Sequence, residues 1–403
     1  MKFYKYLLNL NYPSLSNNSG GHKLNGIKFI LLPLFCSLYL FSGNIYAQTL
    51  EPATISGTVI DSTTNNPLLG AHVFLSGTSL GTSTDYAGRF TLSNLPPGAH
   101  TFTISIIGYG RLSQDIVLKA GEEKIFNRKL EPIIYDLGEL YVGNLDDRWE
   151  RLLNRFKNLF IGETSRADSV TILNPEVLRF QTRWWGRFTA EALAPLQIEN
   201  RATGYLITYH LDEFRHSGTI TRWDGDSFFT PLTPADSVQL EYWASQRKEA
   251  FMGSLRHFFL SLVSDELENQ DFMIYLNSRR THGYPPTNRR RASANRLVRD
   301  TEDQEHYHLS FFGNLEIIYR GSEEEAGFAR WARKTRGPAG AQTSFLELDK
   351  RPITIDPNGE IMETYGATRK GYMAYMRYAE ALPKEYRPEN CSEADNSNSY
   401  SSR

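Results

Sequence analysis

Histidine and acidic residues at one place in the sequence have the spacing of a zinc-hydrolase site. His210-Leu211-Asp212-Glu213 spells His-x-x-Glu, and His306 and His308 follow further along the chain. Hydrolases of this type hold zinc with such a pair and a distant histidine, and leave one coordination position for water. Residues 205–212 alternate like a β-strand, however, and alternation turns His210 and Glu213 to opposite faces. We therefore predict ordinary strand histidines, with no catalytic residue at this place.

Two other histidine arrangements can each be interpreted as a functional site or as ordinary structure. His306 and His308 are alternate residues of a predicted strand, so both imidazoles would lie on one face as a possible metal pair. No third ligand accompanies them in the sequence, and we expect a partly exposed strand, no bound metal and no cofactor. His257 lies within the apolar run of residues 255–262, which favours a buried helix histidine over a catalytic base.

A cluster of arginines lies between two predicted strands, in residues 278–299. Arg289, Arg290 and Arg291 are its densest part and are candidates for binding an anion or lipopolysaccharide. Pro285-Pro286 and the polar residues around it favour a solvated insertion instead. Acidic neighbours within a Debye length neutralise much of the positive field: Asp300, Glu302, Asp303 and Glu305.

The adjacent residues Trp184 and Trp185 are the candidates for binding a sugar, because an aromatic face packs against the apolar face of a pyranose. In a strand, only one of two adjacent side chains points inward, so one of them would be available on the surface. Packing in the core is the alternative for both residues.

Composition excludes several classes of protein. The 403 residues carry 44 Lys and Arg against 46 Asp and Glu, a net charge of −2, which lacks the basic footprint of a nucleic-acid-binding protein. Two cysteines are too few for a disulfide framework or a cysteine-based zinc module. An aromatic content of 13% favours β-rich structure.

The N-terminal segment has the pattern of a secretory signal peptide. Residues 1–47 contain four lysines and no acidic residue, and the apolar run at 30–41 is followed by the small residue Ala47. That run is too short for a membrane span of about 20 residues. We predict cleavage after Ala47, with an uncleaved N-terminal anchor as the alternative, and we predict no second membrane span. The mature chain is then more acidic than the whole.

Residues 54–131 read as short alternating strands separated by turns, which predicts a seven-strand antiparallel β-sandwich. The last of these strands is predicted over residues 123–130. Residues 132–145 are a predicted linker.

Several short segments of this sandwich are similar to the carboxypeptidase regulatory-like domain, which has a transthyretin-like (prealbumin-like) fold. They are Ile55-Ser56-Gly57-Thr58-Val59, Pro67-Leu68-Leu69-Gly70-Ala71, Thr84-Asp85-Tyr86-Ala87-Gly88-Arg89-Phe90, Leu95-Pro96-Pro97-Gly98 and Ile107-Gly108-Tyr109. The resemblance implies an exported protein, since this domain is common in exported Bacteroidetes proteins and precedes the plug of TonB-dependent receptors. In the carboxypeptidases that carry the domain it follows the catalytic domain, whereas here it comes first, which counts against a zinc peptidase.

Residues 146–388 mix helical and strand patterns and predict an α+β, strand-rich domain. Helices are predicted from Asp146 or Asp147, over 238–251 after Asp236, after Ser254, and over 372–381. Short segments, among them Gly253-Ser254-Leu255-Arg256-His257, resemble an uncharacterised Bacteroidetes family that has the same N-terminal sandwich. Residues 389–403 are polar and predict a disordered tail.

Together these features predict an exported protein of the periplasm, outer membrane or cell surface. The first functional hypothesis is a non-enzymatic interaction or structural module with an envelope protein or glycan as its partner. The alternatives are a carbohydrate-binding surface protein, within a carbohydrate-binding-like fold class, and an envelope metallopeptidase.

Overall fold

The N-terminal strands follow the alternation of apolar residues in the sequence. The computed structural model describes residues 51–133, 147–183, 186–277, 289–302, 306–333 and 340–388. The first range contains the strands β1 (Ala53–Asp61), β2 (His72–Leu75), β3 (Gly81–Ser83), β4 (Arg89–Leu95), β5 (Gly98–Ser105), β6 (Leu112–Leu118), β7 (Glu123–Ile125) and β8 (Arg128–Leu130).

These strands form a sandwich of two sheets. One sheet has the order β4-β1-β7, with β8 also paired to β1, and the other has the order β3-β2-β5-β6. Inward-facing residues of both sheets, such as Ile55, Val59, Val73 and Phe102, share one buried core. Burial of these apolar side chains is the main stabilising term of the sandwich.

The prediction of seven antiparallel strands is wrong in two respects. The described sandwich has eight strands, and β1 pairs parallel with β7 and β8. The predicted strand over 123–130 breaks at Asn127, whose side-chain oxygen accepts a hydrogen bond from Thr58 N–H at 3.0 Å. Because a side-chain amide takes the place of a backbone carbonyl there, the ladder along β1 is interrupted.

The first sheet of the body follows its N-terminal helix, α1 (Asp147–Phe160). Its strands are β9 (Val170–Ile172), β10 (Leu178–Thr182), β11 (Phe188–Ala192), β12 (Leu196–Asn200), β13 (Tyr205–Ser217) and β14 (Ile220–Pro231). The order is β10-β11-β13-β12-β9, and β14 forms a long hairpin with β13. The buried face of α1 packs on this sheet through Leu153, Phe156 and Phe160.

The remaining elements form and surround the second sheet of the body, together with a small three-stranded sheet. The helices are α2 (Ser237–Phe251), α3 (Leu255–Val263), α4 (Ala294–Leu297), α5 (Ala326–Trp331) and α6 (Tyr372–Tyr375). The strands are β15 (Phe272–Asn277), β16 (Arg289–Arg291), β17 (Val298–Asp300), β18 (Tyr307–Leu309), β19 (Asn314–Tyr319), β20 (Gln342–Leu348), β21 (Ile353–Ile355) and β22 (Ala367–Gly371). Five of them form the sheet β16-β15-β19-β20-β22, and three form β17-β18-β21. Short 3-10 turns lie at Ser165–Ser169, Pro175–Val177 and Tyr378–Glu380.

Two helices begin where the sequence predicts. The carboxylate of Asp236 accepts from Gln239 N–H at 2.8 Å, and Ser254 Oγ accepts from His257 N–H at 3.1 Å. Each side chain satisfies a backbone donor that the first helical turn leaves unpaired, so both predicted caps are confirmed. The predicted helix over 372–381 is shorter, because α6 ends at Tyr375 and a 3-10 turn follows.

Three predicted segments lie wholly or mostly outside the described residues: the signal peptide at 1–47, the linker at 132–145 and the tail at 389–403. Pro132 and Ile133, which are described, remain paired with the sandwich, and Ile133 N–H donates to Gly108 O at 2.8 Å. Within the part of the chain that the structure describes, no helix is long and apolar enough to cross a membrane.

Candidate functional site

His210 and Glu213 lie on β13 and make separate contacts. The His210 ring stacks on Phe74 of the sandwich at 6.0 Å between centroids and is 9% exposed. Glu213 instead accepts a hydrogen bond from Tyr365 Oη at 2.7 Å. A bulge between Leu211 and Glu213 interrupts the alternation of β13. The two side chains are therefore used in different packing contacts.

His306 and His308 also differ in environment. His306 precedes β18 and is 8% exposed, whereas His308 within β18 is exposed. Among the described residues, no group of three or more His, Cys, Asp or Glu side chains could hold a metal ion. The structure thus brings His306 and His308 close to no ligand set within those ranges.

The three candidate arginines form β16, at the edge of the second sheet of the body. Arg289 makes a two-pronged ion pair with Glu316, with nitrogen–oxygen distances of 2.8 and 3.1 Å, and its guanidinium lies 3.6 Å from the Tyr275 ring centroid. Glu316 is fully buried, so Arg289 is its counter-charge. Arg291 pairs with Glu268, and Arg290 is exposed. Arg290 is thus the member of the cluster that faces solvent without a described ion pair.

Trp184 and Trp185, the candidates for binding a sugar, lie outside the described residues.

The sandwich is joined to the body by backbone hydrogen bonds. Gly77 N–H donates to Ser227 O at 2.7 Å, and Phe229 N–H donates to Thr78 O at 3.0 Å. The turn between β2 and β3 therefore adds to the edge of β14, as a short parallel bridge. Lys384 N–H completes the connection by donating to Gly77 O at 2.8 Å.

Aromatic side chains pack across the same junction. Phe74 of β2 is fully buried, 5.4 Å from the Phe228 ring and between His72 and His210. The rings of His72 and Phe228 meet edge to face at 4.4 Å. Because these rings contact one another and Phe74 is fully buried, the junction is packed like a protein core.

An arginine of the sandwich provides the ionic part of the junction. Arg111 contacts Asp212 at 2.6 Å and Asp226 at 3.3 Å, both on the β13–β14 hairpin. Asp226 is 8% exposed, so this charge pair is partly withdrawn from water and is worth more than a surface pair. Backbone, aromatic and ionic contacts together place the sandwich and the body in one compact unit.

A cavity of about 310 Å³ opens beside this junction. Sandwich residue Gly77 lines it together with residues of β14, α2, α3, β22, α6 and the chain that follows. Its cationic lining residues are Arg256, Arg369, Arg377 and Lys384, its carboxylates are Glu360 and Glu380, and its apolar wall includes Phe251, Leu255, Met373 and Met376.

Sequence reasoning missed this cavity. Arg256 is distant in the sequence from Arg369 and Arg377, and each of the three lies in an ordinary pattern of its own. One sign was present, since Arg256 stands in the apolar stretch of α3 where a charged side chain needs partners. The partners are backbone carbonyls, which no pattern of residue types marks.

Stability should fall as the pH falls from 6.5 to 4. His257 accepts from Gly253 N–H at Nδ1 and contacts Gln270 Oε1 through Nε2, an arrangement that requires a neutral ring. Burial lowers the pKa of His257, and also of His210, to about 4. The unfolded chain takes up these protons near pH 6.5, so this stabilisation is complete above pH 6.5 and is lost as the pH approaches 4.

The free energy of unfolding should fall by about 3 kcal/mol for each histidine, because each unit of difference between the unfolded and folded pKa is worth about 1.36 kcal/mol. Urea unfolding at pH 7.5 and pH 4.5 measures it. Because carboxylates also titrate in this interval, the comparison is with His257→Gln, which should show a smaller loss than the unchanged chain. An equal loss in both proteins would contradict the assignment.

Comparison with known proteins identifies the N-terminal part. The model of the CarboxypepD_reg-like domain matches residues 55–142. TonB-dependent receptor P39 of Formosa agariphila is 32% identical over 118 residues, which are 29% of this chain and 10% of the receptor. The chain therefore spans about a tenth of the length of that relative.

Solved structures match over a similar share of the chain. Klebsiella pneumoniae 5-hydroxyisourate hydrolase is 21% identical, with 20% of this chain and 92% of that chain covered and a TM-score of 0.18. The pilus 2b backbone protein of group B streptococcus is 18% identical, with 20% and 40% covered and a TM-score of 0.17. The family match over residues 55–142 shows that the N-terminal region is a CarboxypepD_reg-like domain.

Proposed function

We propose that this chain is an exported cell-envelope protein with a non-enzymatic interaction or structural role, in which a prealbumin-like sandwich and the body act as one binding unit. The observation that carries the proposal is the junction: Phe74, Arg111 and the Gly77 turn attach the sandwich to β13 and β14. A domain held by a tether alone would need none of these contacts.

Three of the candidate side chains support the same interpretation, because each has a structural partner. His210 packs on Phe74, Glu213 binds Tyr365, and Arg289 neutralises Glu316. The envelope location is supported by the predicted signal peptide and by the similarity of the N-terminal region to a TonB-dependent receptor.

The experiment is an affinity capture from the native organism. The full chain with a C-terminal tag is expressed, its mature N-terminus is sequenced, and proteins and glycans that copurify from the envelope fraction are quantified against an untagged strain. We expect cleavage after Ala47, recovery in the envelope and reproducible enrichment of one envelope component.

The matched control separates a real partner from background. Arg111→Ala removes the ionic contact of the junction and should reduce the enrichment, whereas Arg89→Met, on the opposite sheet of the sandwich, should not. Recovery in the cytosol, or no enrichment over the untagged strain, would overturn the proposal.

A further inference from the structure

The charges that line the cavity beside the junction are not balanced. Four cationic side chains and two carboxylates line it. One of the carboxylates, Glu380, is already neutralised by a residue that does not line the cavity. It pairs with Arg166 Nε at 2.5 Å and accepts a hydrogen bond from Thr164 Oγ1 at 2.6 Å. Glu360 is then the one lining carboxylate left to face the cations, so the lining carries an excess of positive charge, while Asp356 and Glu385 act on Arg256 from outside the lining.

Two of the arginines are held by neutral acceptors. Arg256 is 9% exposed and donates to the carbonyl oxygens of Leu382, Pro383 and Tyr386. Arg377 donates to Leu159 O. The Nε of each guanidinium is buried and has no hydrogen-bond partner among the described residues. Carbonyls fix the orientation of these groups but do not neutralise them, and an unpaired buried donor is costly.

Arg369 on β22 is the third arginine and the least constrained. Its side chain lines the cavity and, within the described ranges, makes no hydrogen bond and no ion pair. Arg369 is exposed to solvent, and the protein atoms around its guanidinium lower the pKa of that group. Burial and the nearby Arg369 charge lower the pKa of Arg377 to about 10. The two like charges thus destabilise each other.

The wall of the cavity adds two further features. The cap Ser254 and the first residue of α3, Leu255, line it, so the positive end of that helix dipole lies at its edge. The side chains of Phe251, Met373 and Met376 give it an apolar surface. A volume of about 310 Å³ is at the lower end for small-molecule sites.

We propose that this cavity binds a small organic ligand that carries an oxyanion group on an apolar chain. Arg369 makes the ionic contact with the oxyanion, Arg256 and Arg377 supply the surrounding field, and Phe251, Met373 and Met376 contact the apolar part. A planar guanidinium binds carboxylate, phosphate and sulfate through paired hydrogen bonds, so these three groups share the recognition chemistry. A ligand of this class deepens the proposed function and depends on the chain being a binding protein.

The experiment is titration calorimetry of the mature chain with four compounds that share the same hexyl chain. Heptanoate, hexyl phosphate and hexyl sulfate are the oxyanion probes, and hexanol is the neutral control. We expect at least one oxyanion to bind at least tenfold more tightly than hexanol, and the order among the three identifies the group that the cavity prefers. Equal binding of all four, or no binding, would overturn the inference.

Three variants locate the contact. Arg369→Met should weaken oxyanion binding at least tenfold and leave hexanol unaffected, Arg369→Lys should lose less, and the exposed Arg89→Met should match the unchanged chain. Because removal of Arg369 relieves its repulsion with Arg377, the Arg369→Met protein should also melt at the same or a higher temperature without ligand. Unchanged oxyanion affinity in a folded Arg369→Met protein would contradict the assignment. This result does not depend on capture of an envelope partner, so the two proposals can fail separately.

Discussion

We expect Phe74→Ala to lower the free energy of unfolding by about 3–5 kcal/mol, the range measured for aromatic-to-alanine changes in cores. Phe74 is fully buried, and its ring contacts His210 and Phe228 of the body as well as His72 of its own strand. The substitution therefore opens a cavity at the junction between sandwich and body, where the backbone is held by cross-strand hydrogen bonds and collapses little.

Urea unfolding followed by circular dichroism measures the change. The matched control is Tyr86→Ala in the same sandwich, where the side chain is 87% exposed and the cost should stay within about 0.5 kcal/mol. If Phe74→Ala costs as little as Tyr86→Ala, the aromatic cluster does not hold the junction together.

The second large effect is expected at Gly225 on β14. Its φ is 153°, and a Cβ there would lie 2.0 Å from the carbonyl oxygen of His210. Gly225 pairs with Leu211, next to the bulge at Leu211/Glu213, so the missing side chain is what allows the two strands to approach there. Gly225→Ala should cost about 3 kcal/mol, from the clash together with the backbone strain.

Gly218 at the turn of the same hairpin provides the control. It has a φ of 62°, and no described atom lies within 4 Å of the place that a Cβ would take, so Gly218→Ala tests strain without a clash. We expect Gly218→Ala to cost about 1 kcal/mol. Thermal unfolding of both variants measures the difference, and equal losses would show that the close approach at Gly225 contributes nothing.

The sequence predicts local features well, because their causes are local. The alternation in residues 54–131 and the turn residues between strands are enough to predict the sandwich, and Asp236 and Ser254 mark the helix starts. The break at Asn127 was missed, since a side-chain amide that replaces a backbone carbonyl leaves no trace in the alternation. Gly225 was missed as well, and the structure shows it as a lone glycine inside β14, where such a residue marks a bulge or a close backbone approach.

The candidate sites were harder to predict because their partners are distant in the sequence. The arginines of residues 289–291 were expected to be balanced by Asp300 and its acidic neighbours, whereas the structure pairs Arg289 with Glu316 and Arg291 with Glu268. The cavity depends on Arg256, Arg369 and Arg377, which three separate elements bring together. Composition counts such charges but does not show which of them lack a counter-charge.

The central claim is that the sandwich and the body are one unit. Each of the six tryptophans lies at or after Trp149, so tryptophan fluorescence reports on the body and not on the sandwich. Phe102, by contrast, is fully buried in the sandwich core. The most direct test is urea unfolding of Phe102→Ala and of the unchanged mature chain, followed by tryptophan fluorescence and circular dichroism together. We predict a single transition in both signals, shifted by Phe102→Ala to the same lower urea concentration; a tryptophan transition that Phe102→Ala leaves unmoved would contradict the claim.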